Sequence, residues 1–317
     1  PPQMKEQITH MMSQESTGPS ARTHTDSIQP THPDRTPGIP ARTLLVGCGR
    51  TATRLGGSLV AAGGEVVALR RTTGNLPRSF QVLSVDLVEP LEQPLPDVDA
   101  MVITLSPSMG EASTQIPAQE QAQSPWHPTG YLDALTNLAQ ALPAVPPRVV
   151  FVSSTRVFEG KAGEQVLTEQ DEPAPTTPRG RLLRDAELLA IDLFDARIVR
   201  PAGIYGPGRE MMIRKVLNHT PVQYAQRTNR IHEVDLARAL EVMLTLENPP
   251  TVVHAVDQRP ATMGEVVIFI ADQLGVAPPP AMEPAMPGGT VLSGELLFSL
   301  LGSLRYPTFE AGYGVLG

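Results

Sequence analysis

The feature that most constrains the fold is a short apolar run that ends in a glycine-rich turn. Residues 42–47 (RTLLVG) contain a short apolar run that ends in glycine, which is typical of a buried parallel strand. The next segment, 51–62, places Leu55 and Leu59 at helical spacing. A strand, a tight turn and a helix in this order indicate the first unit of a parallel α/β sheet. The turn itself consists of Gly47, Cys48, Gly49, Arg50, Thr51 and Ala52.

The same alternation continues through the first two thirds of the chain. Apolar runs predict further strands over residues 65–69, 81–85, 98–105, 148–153 and 196–200. Helical spacing predicts helices over 129–142 and 178–193. Because strands separated by helices pair in parallel through right-handed crossovers, we expect an α/β fold with a doubly wound parallel sheet of the Rossmann type.

Composition excludes several other classes of protein. The chain has 317 residues, 41% of them apolar, and a net charge of −8. An acidic chain lacks a broad basic surface, so we expect neither nucleic acid nor an anionic membrane as a partner. No apolar run approaches the roughly 18 residues of a membrane span, and the first residues carry no signal-peptide pattern, which favours the cytoplasm. One cysteine and seven scattered histidines predict no disulfide framework and no metal site.

Proline is concentrated outside the patterned segments. It accounts for 33 residues, about twice its usual share of roughly 5%. Residues 1–41 combine proline with Ser, Thr, Gln and His and hold few large apolar side chains, so we predict a disordered tail. Two further stretches, 107–128 and 278–289, lack a regular pattern, and loops of this length are commonly disordered or cover a site.

The glycine turn is the first feature with a chemical meaning. Gly47, Gly49 and Ala52 match the pattern G-x-G-x-x-G/A between a strand and a helix. The first glycine permits the tight turn, the second lets the backbone approach a pyrophosphate, and the small third residue lets helix and strand pack closely. Free N–H groups and the helix dipole then face the phosphates. We therefore predict that residues 47–52 bind a dinucleotide, the alternative being an ordinary strand–helix turn.

The end of the second predicted strand indicates which dinucleotide. NAD enzymes commonly carry Asp or Glu about 20 residues beyond the glycines, where the carboxylate binds the ribose hydroxyls. Here the strand ends in Arg70 and Arg71, without an acid. A guanidinium can instead pair with a 2′-phosphate through two hydrogen bonds. We expect NADP as the cofactor, with NAD still open; a solvated basic turn is the other interpretation.

Four later segments, read with the glycine turn, carry a family resemblance. The segments and the patterns they resemble are 152–158 (VSSTRVF; S-S-x-x-V-Y-G), 200–208 (RPAGIYGPG; R-P-x-x-x-Y-G-P-G), 230–237 (RIHEVDLA; R-x-I-H-V-x-D-L-A) and 253–257 (VHAVD; N-V-x-D). Together they resemble the short-chain dehydrogenase/reductase superfamily, in its extended or atypical epimerase/dehydratase-like branch. The resemblance covers residues 42–275 in the family's order.

The resemblance implies a domain organisation and a cofactor site. It implies an NAD(P)-binding Rossmann domain over 42–205 and a smaller C-terminal α/β lobe over 206–317, with some segments of the lobe returning to the sheet. The residues that it implies around the cofactor are Asp86 and Leu87 near the adenine, Thr104, Leu105 and Ser106 along the trough, and Pro201, Ala202 and Ile204 near the nicotinamide. A turn role for Asp86 and simple packing for residues 201–204 are the alternatives.

The catalytic part of the family pattern is incomplete. The family uses a serine or threonine with Y-x-x-x-K, in which the lysine lowers the pKa of the tyrosine for proton exchange during hydride transfer. Ser154 matches the serine. Counting back eight residues from Glu187, a glutamate the family shares, puts Arg179 at the tyrosine position and Leu183 at the lysine position. Because arginine is a poor proton donor and leucine cannot tune a pKa, Ser154 is the remaining catalytic candidate, or a plain hydrogen-bonding residue.

Four residues of the later segments are candidates for substrate contact. Guanidinium groups match carboxylates and phosphates, and histidine suits proton transfer near neutral pH. The candidates are Tyr205, Arg209, Arg230 and His232; for the arginines surface placement, and for His232 a buried hydrogen-bonding role, are the alternatives. Nucleotide-sugar enzymes of this branch carry an arginine where this chain has Thr228, so a nucleotide-sugar substrate is in doubt.

Two classes of function are therefore predicted. The first is an NADP-dependent oxidoreductase or epimerase-like enzyme that acts on a small polar substrate with non-standard acid/base groups. The second is a non-catalytic NADP-binding sensor or partner-binding protein. For either class we expect a monomer or homodimer.

Overall fold

A computed structural model describes residues 38–72, 74–107 and 128–314. At its centre is an all-parallel seven-stranded sheet. Its strands are β1 (Arg42–Val46), β2 (Glu65–Arg70), β3 (Phe80–Ser84), β4 (Ala100–Ile103), β5 (Arg148–Val152), β7 (Arg197–Pro201) and β11 (Val252–Ala255). They lie in the order β11-β7-β5-β4-β1-β2-β3, so the chain winds outward in both directions from β1 and β4. The predicted doubly wound α/β fold is confirmed.

Helices and short strand pairs complete the described part. The helices are α1 (Arg50–Ala61), α2 (Pro128–Ala141), α3 (Pro178–Phe194), α4 (Met211–Leu217), α5 (Glu233–Thr245), α6 (Met263–Leu274), α7 (Glu295–Leu301), α8 (Phe309–Tyr313) and a 3-10 helix (Thr155–Lys161). The short strands are β6 (Val166–Leu167), β8 (Gly203–Tyr205), β9 (Arg227–Thr228), β10 (Arg230–His232), β12 (Ala261–Thr262) and β13 (Val291–Leu292). They pair as β8 with β10, β9 with β12 and β6 with β13.

Apolar side chains cover both faces of the large sheet, which is why its strands are continuous apolar runs. In β1, Leu45 faces the layer of α1, α5 and α7, whereas Leu44 and Val46 face α2 and α3. All three side chains are fully buried. The alternation of side chains along a strand therefore builds one core on each face of the sheet.

The chain after residue 206 contributes to two packing units. Strand β11 joins the edge of the large sheet, and α5 packs against α1. A separate apolar cluster forms the core of a smaller lobe and includes Tyr205, Val216, Ile270 and Phe309. The boundary at residue 205 stays a prediction.

Element ends differ from the predicted ones by one or two residues. The largest difference is in β4, which spans Ala100–Ile103 where the apolar run predicted 98–105, because residues at both ends of the run leave the ladder. Segment 278–289 runs alongside residues 222–227, with Met282 and Arg227 donating backbone hydrogen bonds across the pair. The predicted tail, except for its last residues 38–41, and most of the predicted loop, residues 108–127, lie outside the described residues.

Candidate functional site

A trough follows the carboxyl ends of the central strands, where the winding direction of the sheet reverses. In doubly wound sheets this switch point is the usual ligand site. The trough consists of three adjoining cavities of about 640, 350 and 500 Å³, which we name the turn, central and lobe cavities. The turn and central cavities share Gly47, Gly49 and Thr104, and the central and lobe cavities share Ser154 and Arg156.

The glycine turn forms the floor between the turn and central cavities. Gly47 has φ +77°, a left-handed conformation that favours glycine, and an added Cβ would lie 3.2 Å from the Leu105 nitrogen. Gly49 precedes α1 in extended conformation, and an added Cβ would meet only the Gly47 oxygen at 3.9 Å. No side chain caps the N-terminus of α1, so its first N–H groups point into the trough. Buried Ala52 lets the helix approach the sheet.

The turn cavity gathers the residues predicted around the adenine and its ribose. Arg70, Arg71, Asp86 and Leu87 all line it, together with Cys48. The Asp86 Oδ1 accepts a hydrogen bond from the Val88 N–H at 3.1 Å, so this carboxylate also serves a turn. Burial raises the pKa of the Cys48 thiol, which keeps it protonated.

The two trough-lining segments after β4 and β7 meet at the central cavity. Thr104, Leu105 and Ser106 line one side, and the group predicted near the nicotinamide, Pro201, Ala202 and Ile204, lines the other. The Thr104 hydroxyl donates to the Gly47 carbonyl at 2.7 Å, which ties the end of β4 to the glycine turn. Arg50 and Thr51 line the same cavity.

Ser154 lies where the central and lobe cavities meet, at the end of β5. Its Oγ accepts a hydrogen bond from the Arg156 N–H at 3.2 Å and so caps the 3-10 helix. A hydroxyl that accepts one bond can still donate its proton, so Ser154 retains a donor for a substrate oxygen.

Helix α3 brings Arg179 and Leu183 to the central cavity beside Ser154. They lie four residues apart and therefore on one helix face. Glu187, the residue from which these positions were counted, is fully buried and accepts two hydrogen bonds from Arg200, at 2.8 and 2.9 Å. This bidentate pair joins α3 to β7 behind the cavity.

No tyrosine or lysine among the described residues lines any of the three cavities. Tyr131 comes near, but its hydroxyl donates to the Leu105 carbonyl at 3.2 Å, and burial raises the pKa of this phenol far above its ordinary value. A phenol held in this way is neutral at physiological pH, and its hydroxyl proton is engaged by the Leu105 carbonyl.

The four predicted substrate residues separate into two groups. Arg209 lines the central cavity, where its Nη2 donates to the Thr51 hydroxyl at 3.2 Å. The other three, Tyr205, Arg230 and His232, are buried in the smaller lobe and line none of the three cavities.

Local packing explains the burial of these three side chains. Tyr205 stacks on Tyr313 with ring centroids 4.7 Å apart. His232 caps α5 by accepting a hydrogen bond from the Val234 N–H, and burial lowers its pKa, which favours the neutral ring. Arg230 lies over the Phe309 ring. Their sequence pattern therefore corresponds here to a lobe core.

Two arginines of the central cavity, Arg156 and Arg179, are not among the site residues that the sequence predicts. The sequence presents Arg179 only at the place of a tyrosine, and Arg156 only as part of a family segment. The signal that points to them is their position: Arg156 follows Ser154 by two residues, and counting back from Glu187 puts Arg179 at the family's tyrosine position.

Within the described residues, no group of three or more His, Cys, Asp or Glu side chains is arranged to hold a metal ion. In the same ranges no helix combines the length and apolarity needed to cross a membrane.

Comparison with solved structures identifies the class of protein to which this fold and trough are similar. A candidate NAD-dependent epimerase/dehydratase from Methylobacillus flagellatus is 29% identical, with a TM-score of 0.69, over 87% of this chain and 97% of that one. The dehydratase TunA, an NAD-dependent NDP-hexosamine 5,6-dehydratase involved in tunicamycin biosynthesis, is 20% identical, with a TM-score of 0.67, over 87% and 96%. The UDP-glucuronic acid 4-epimerase of Bacillus cereus, solved with UDP-glucuronic acid and NAD, is 17% identical, with a TM-score of 0.64, over 87% and 98%.

These neighbours confirm the resemblance to the epimerase/dehydratase-like branch of the short-chain dehydrogenase/reductase superfamily. Over 87% of its length, the chain has a fold similar to those of the two NAD-dependent proteins from this comparison. No family model matches the sequence, and no curated protein matches it.

Proposed function

We propose that this protein binds NADP in the trough and acts as a cytoplasmic oxidoreductase of the epimerase/dehydratase-like type on a small polar substrate. One observation carries the proposal. The glycine turn at the start of α1 and the reactive candidates beside Ser154 open into one continuous trough at the switch point of the sheet. That arrangement suits a dinucleotide whose phosphates and nicotinamide ring contact the ends of different strands.

The residues of the trough fit such a cofactor in order. The pyrophosphate would be held at the glycine turn, residues 47–52. The N–H groups of residues 47–49 donate within the protein, so those of residues 50–52 and the helix dipole would favour the negative charge. The adenine end would lie in the turn cavity, and the nicotinamide end near Pro201 and Ile204. Structural neighbours solved with NAD, such as MoeE5 and the Bacillus cereus epimerase, support a nicotinamide dinucleotide.

The preference for NADP rests on charge at the end of β2. Arg70 and Arg71 line the turn cavity, and no acid follows β2. A carboxylate at this place would repel a 2′-phosphate, whereas a guanidinium donates two charge-assisted hydrogen bonds to it.

The chemistry expected at the central cavity differs from that of a tyrosine-dependent enzyme. A bound nicotinamide supplies or accepts hydride. The Ser154 hydroxyl would donate a hydrogen bond to the substrate oxygen, and the guanidinium of Arg179 would stabilise negative charge that develops nearby. Leu183 contributes an apolar wall only.

A second function, a non-catalytic NADP-binding sensor, is favoured by one specific observation. Among the described residues, no tyrosine or lysine borders the trough, so the usual route for proton transfer is missing. Hydride exchange between NADPH and a panel of carbonyl compounds distinguishes the two functions: turnover supports the enzyme, and its absence with intact NADPH binding supports the sensor.

Calorimetric titration of NADP and NAD tests the cofactor assignment. We expect the wild type to prefer NADP, and Arg70→Ala to lower NADP affinity about 10- to 100-fold because a charge-assisted contact is lost, with little effect on NAD. Arg78→Ala, an exposed arginine outside the cavities, is the matched control. Equal affinity of the wild type for the two nucleotides would refute the NADP preference, and failure to bind either would refute dinucleotide binding itself.

A further inference from the structure

Arg179 differs from the other arginines of the central cavity because it has no polar partner among the described residues. Arg50 donates to the Pro207 carbonyl, and Arg209 donates to Thr51 and lies 3.7 Å from Glu233. Arg179, by contrast, forms no hydrogen bond and no ion pair within the described ranges.

The environment of Arg179 makes this lack of a partner costly. The side chain is half-buried in the wall of the central cavity, and its charge acts on the phenol of Tyr131. A guanidinium partly withdrawn from water loses hydration, and no group among the described residues replaces it with a hydrogen bond. An anionic ligand in the cavity would replace it.

The neighbouring charges leave the central cavity positive. Arg156 borders the same cavity, but its Nη1 lies 2.7 Å from Glu159, so this pair is neutral overall. Near the glycine turn, Arg209 shares Glu233 with Arg54, and Arg50 donates to a carbonyl, so positive charge remains there. On α3, the positive charge is that of Arg179, which favours an anionic ligand group at this part of the cavity.

A chain of hydrogen bonds holds Arg179 in place relative to Ser154. Glu159 accepts from the Thr177 N–H at 3.1 Å and from its hydroxyl at 2.6 Å, and the Thr177 Oγ1 accepts from the Gly180 N–H at 3.0 Å. Burial opposes ionisation of Glu159, but these bonds and the one from Arg156 outweigh it and lower its pKa. The start of α3 is thereby fixed to the 3-10 helix that follows Ser154.

Gly180 shows how closely these two elements approach. An added Cβ at this position would lie 2.6 Å from the Glu159 carboxylate. Arg179, the residue before it, is therefore presented from a tightly anchored helix start, as a binding group requires if it is to hold a substrate precisely.

We propose that the central cavity binds the carboxylate group of the substrate, with Arg179 as the residue that recognises it. The planar guanidinium can donate two parallel hydrogen bonds to a carboxylate. The Ser154 hydroxyl then lies beside the bound acid, and the lobe cavity, with polar Gln226 and Asn229 in its wall, accommodates the rest of the molecule. The assignment adds a substrate class to the proposed function. It rests on that function for the hydride chemistry, whereas the carboxylate binding does not depend on it.

Calorimetric titration with lactate and with its neutral amide, lactamide, tests the assignment on the full chain at constant ionic strength, with and without NADPH. We expect lactate to bind the wild type at least about tenfold more tightly than lactamide, as a charge-assisted pair implies. Arg179→Gln should reduce this ratio to about one, and Arg179→Lys, which keeps the charge but loses the planar fork, should retain part of it. Arg181→Gln, an exposed arginine on the same helix, is the matched control and should leave the ratio unchanged.

Four results would overturn the assignment: equal binding of lactate and lactamide by the wild type, an unchanged ratio in Arg179→Gln, tighter binding of inorganic phosphate than of lactate, or a large loss of NADPH affinity in Arg179→Gln. The last result would place the guanidinium on the cofactor. If the wild type does not bind NADPH, the proposed function fails, but the titrations without NADPH still decide whether Arg179 binds a carboxylate.

Discussion

The two ends of the trough relate to the sequence in different ways. At the dinucleotide end, the first three predicted residues of the glycine turn line the turn cavity with the ends of β2, β3 and β4, and Arg50, Thr51 and Ala52 line the adjoining central cavity. At the reaction end, three of the four predicted substrate residues lie inside the smaller lobe, while Arg156 and Arg179 occupy the cavity wall. The glycine turn itself is a short stretch of chain that acts mainly through its backbone. The reaction end depends on side chains contributed by distant segments.

This difference shows why one fold can keep a cofactor site and change its chemistry. A strand, a turn and a helix N-terminus bind phosphate through N–H groups that every residue type except proline possesses. Proton transfer and substrate recognition need particular side chains, and a single replacement can exchange a phenol for a guanidinium. The dinucleotide end can therefore persist while the reaction end changes.

The largest expected effect is a loss of folding stability when the buried Glu187–Arg200 pair, which joins α3 to β7 behind the central cavity, is broken. Glu187→Ala removes both carboxylate oxygens that pair with buried Arg200, and should lower the free energy of unfolding by about 3–5 kcal/mol, because a buried charge is left unpaired. Glu172→Ala removes an exposed partner of Arg184 and should have almost no effect. Urea unfolding measures both, and comparable losses would contradict a special role for the buried pair.

The next effect concerns Ser154 at the reaction end. Ser154→Ala should lower kcat about 10²- to 10³-fold on any substrate that the protein turns over, because a hydrogen-bond donor to the reacting oxygen is lost. Ser154→Thr keeps the hydroxyl and should retain much of the activity. Steady-state kinetics with NADPH binding measured in parallel is the test. Full activity of Ser154→Ala would show that the chemistry occurs elsewhere.

Substitutions of two glycines at the dinucleotide end should affect different properties: one should lower NADP affinity, and the other should lower folding stability. Gly49→Ala fits the protein but occupies the space next to the phosphates, so it should lower NADP affinity about tenfold or more with an unchanged Tm. Gly47→Ala strains a left-handed backbone against Leu105 and should cost about 1–2 kcal/mol of stability. Calorimetry and thermal unfolding distinguish the two outcomes, and a variant pair with identical behaviour would contradict the assigned roles.

The last effect, about 1 kcal/mol for each pH unit, is a pH dependence that arises in the smaller lobe. Burial raises the pKa of Asp257 to about 7, although nearby Arg230 opposes the shift. Between about pH 4 and 7 the folded state therefore holds a proton that the unfolded state has lost, and this carboxyl lowers stability as the pH rises. Relative to the wild type, Asp257→Asn should gain on the order of 1 kcal/mol per pH unit across this window. Urea unfolding at several pH values measures it; parallel curves would contradict the shift.

The fold was predictable because its signals are local. The apolar runs of β1 and β5 and the glycine turn each lie within a few residues, and the structure confirms the sheet that they predict. The ends of β4 were less predictable. The strand ends where its residues stop pairing with those of β1, and the sequence of β4 alone does not indicate where that happens.

The substrate side was less predictable for a related reason. Tyr205, Arg230 and His232 belong to segments with a clear family pattern, but their side chains pack against Tyr313, Phe309 and Tyr306, residues far along the chain. A pattern within one segment does not reveal whether a polar side chain faces a cavity or an aromatic core.

By itself, the sequence determined the parallel sheet, the position of the glycine turn and the residue types at positions 154, 179 and 183, because each follows from short-range periodicity or from residue identity. Only the tertiary structure decided which polar side chains border the trough and which are buried, and that Arg179 lines the same cavity as Ser154 with no counterion among the described residues. Those outcomes depend on packing between α3, the 3-10 helix and the smaller lobe, where burial and the choice of hydrogen-bond partner are settled by contacts between segments distant in the chain.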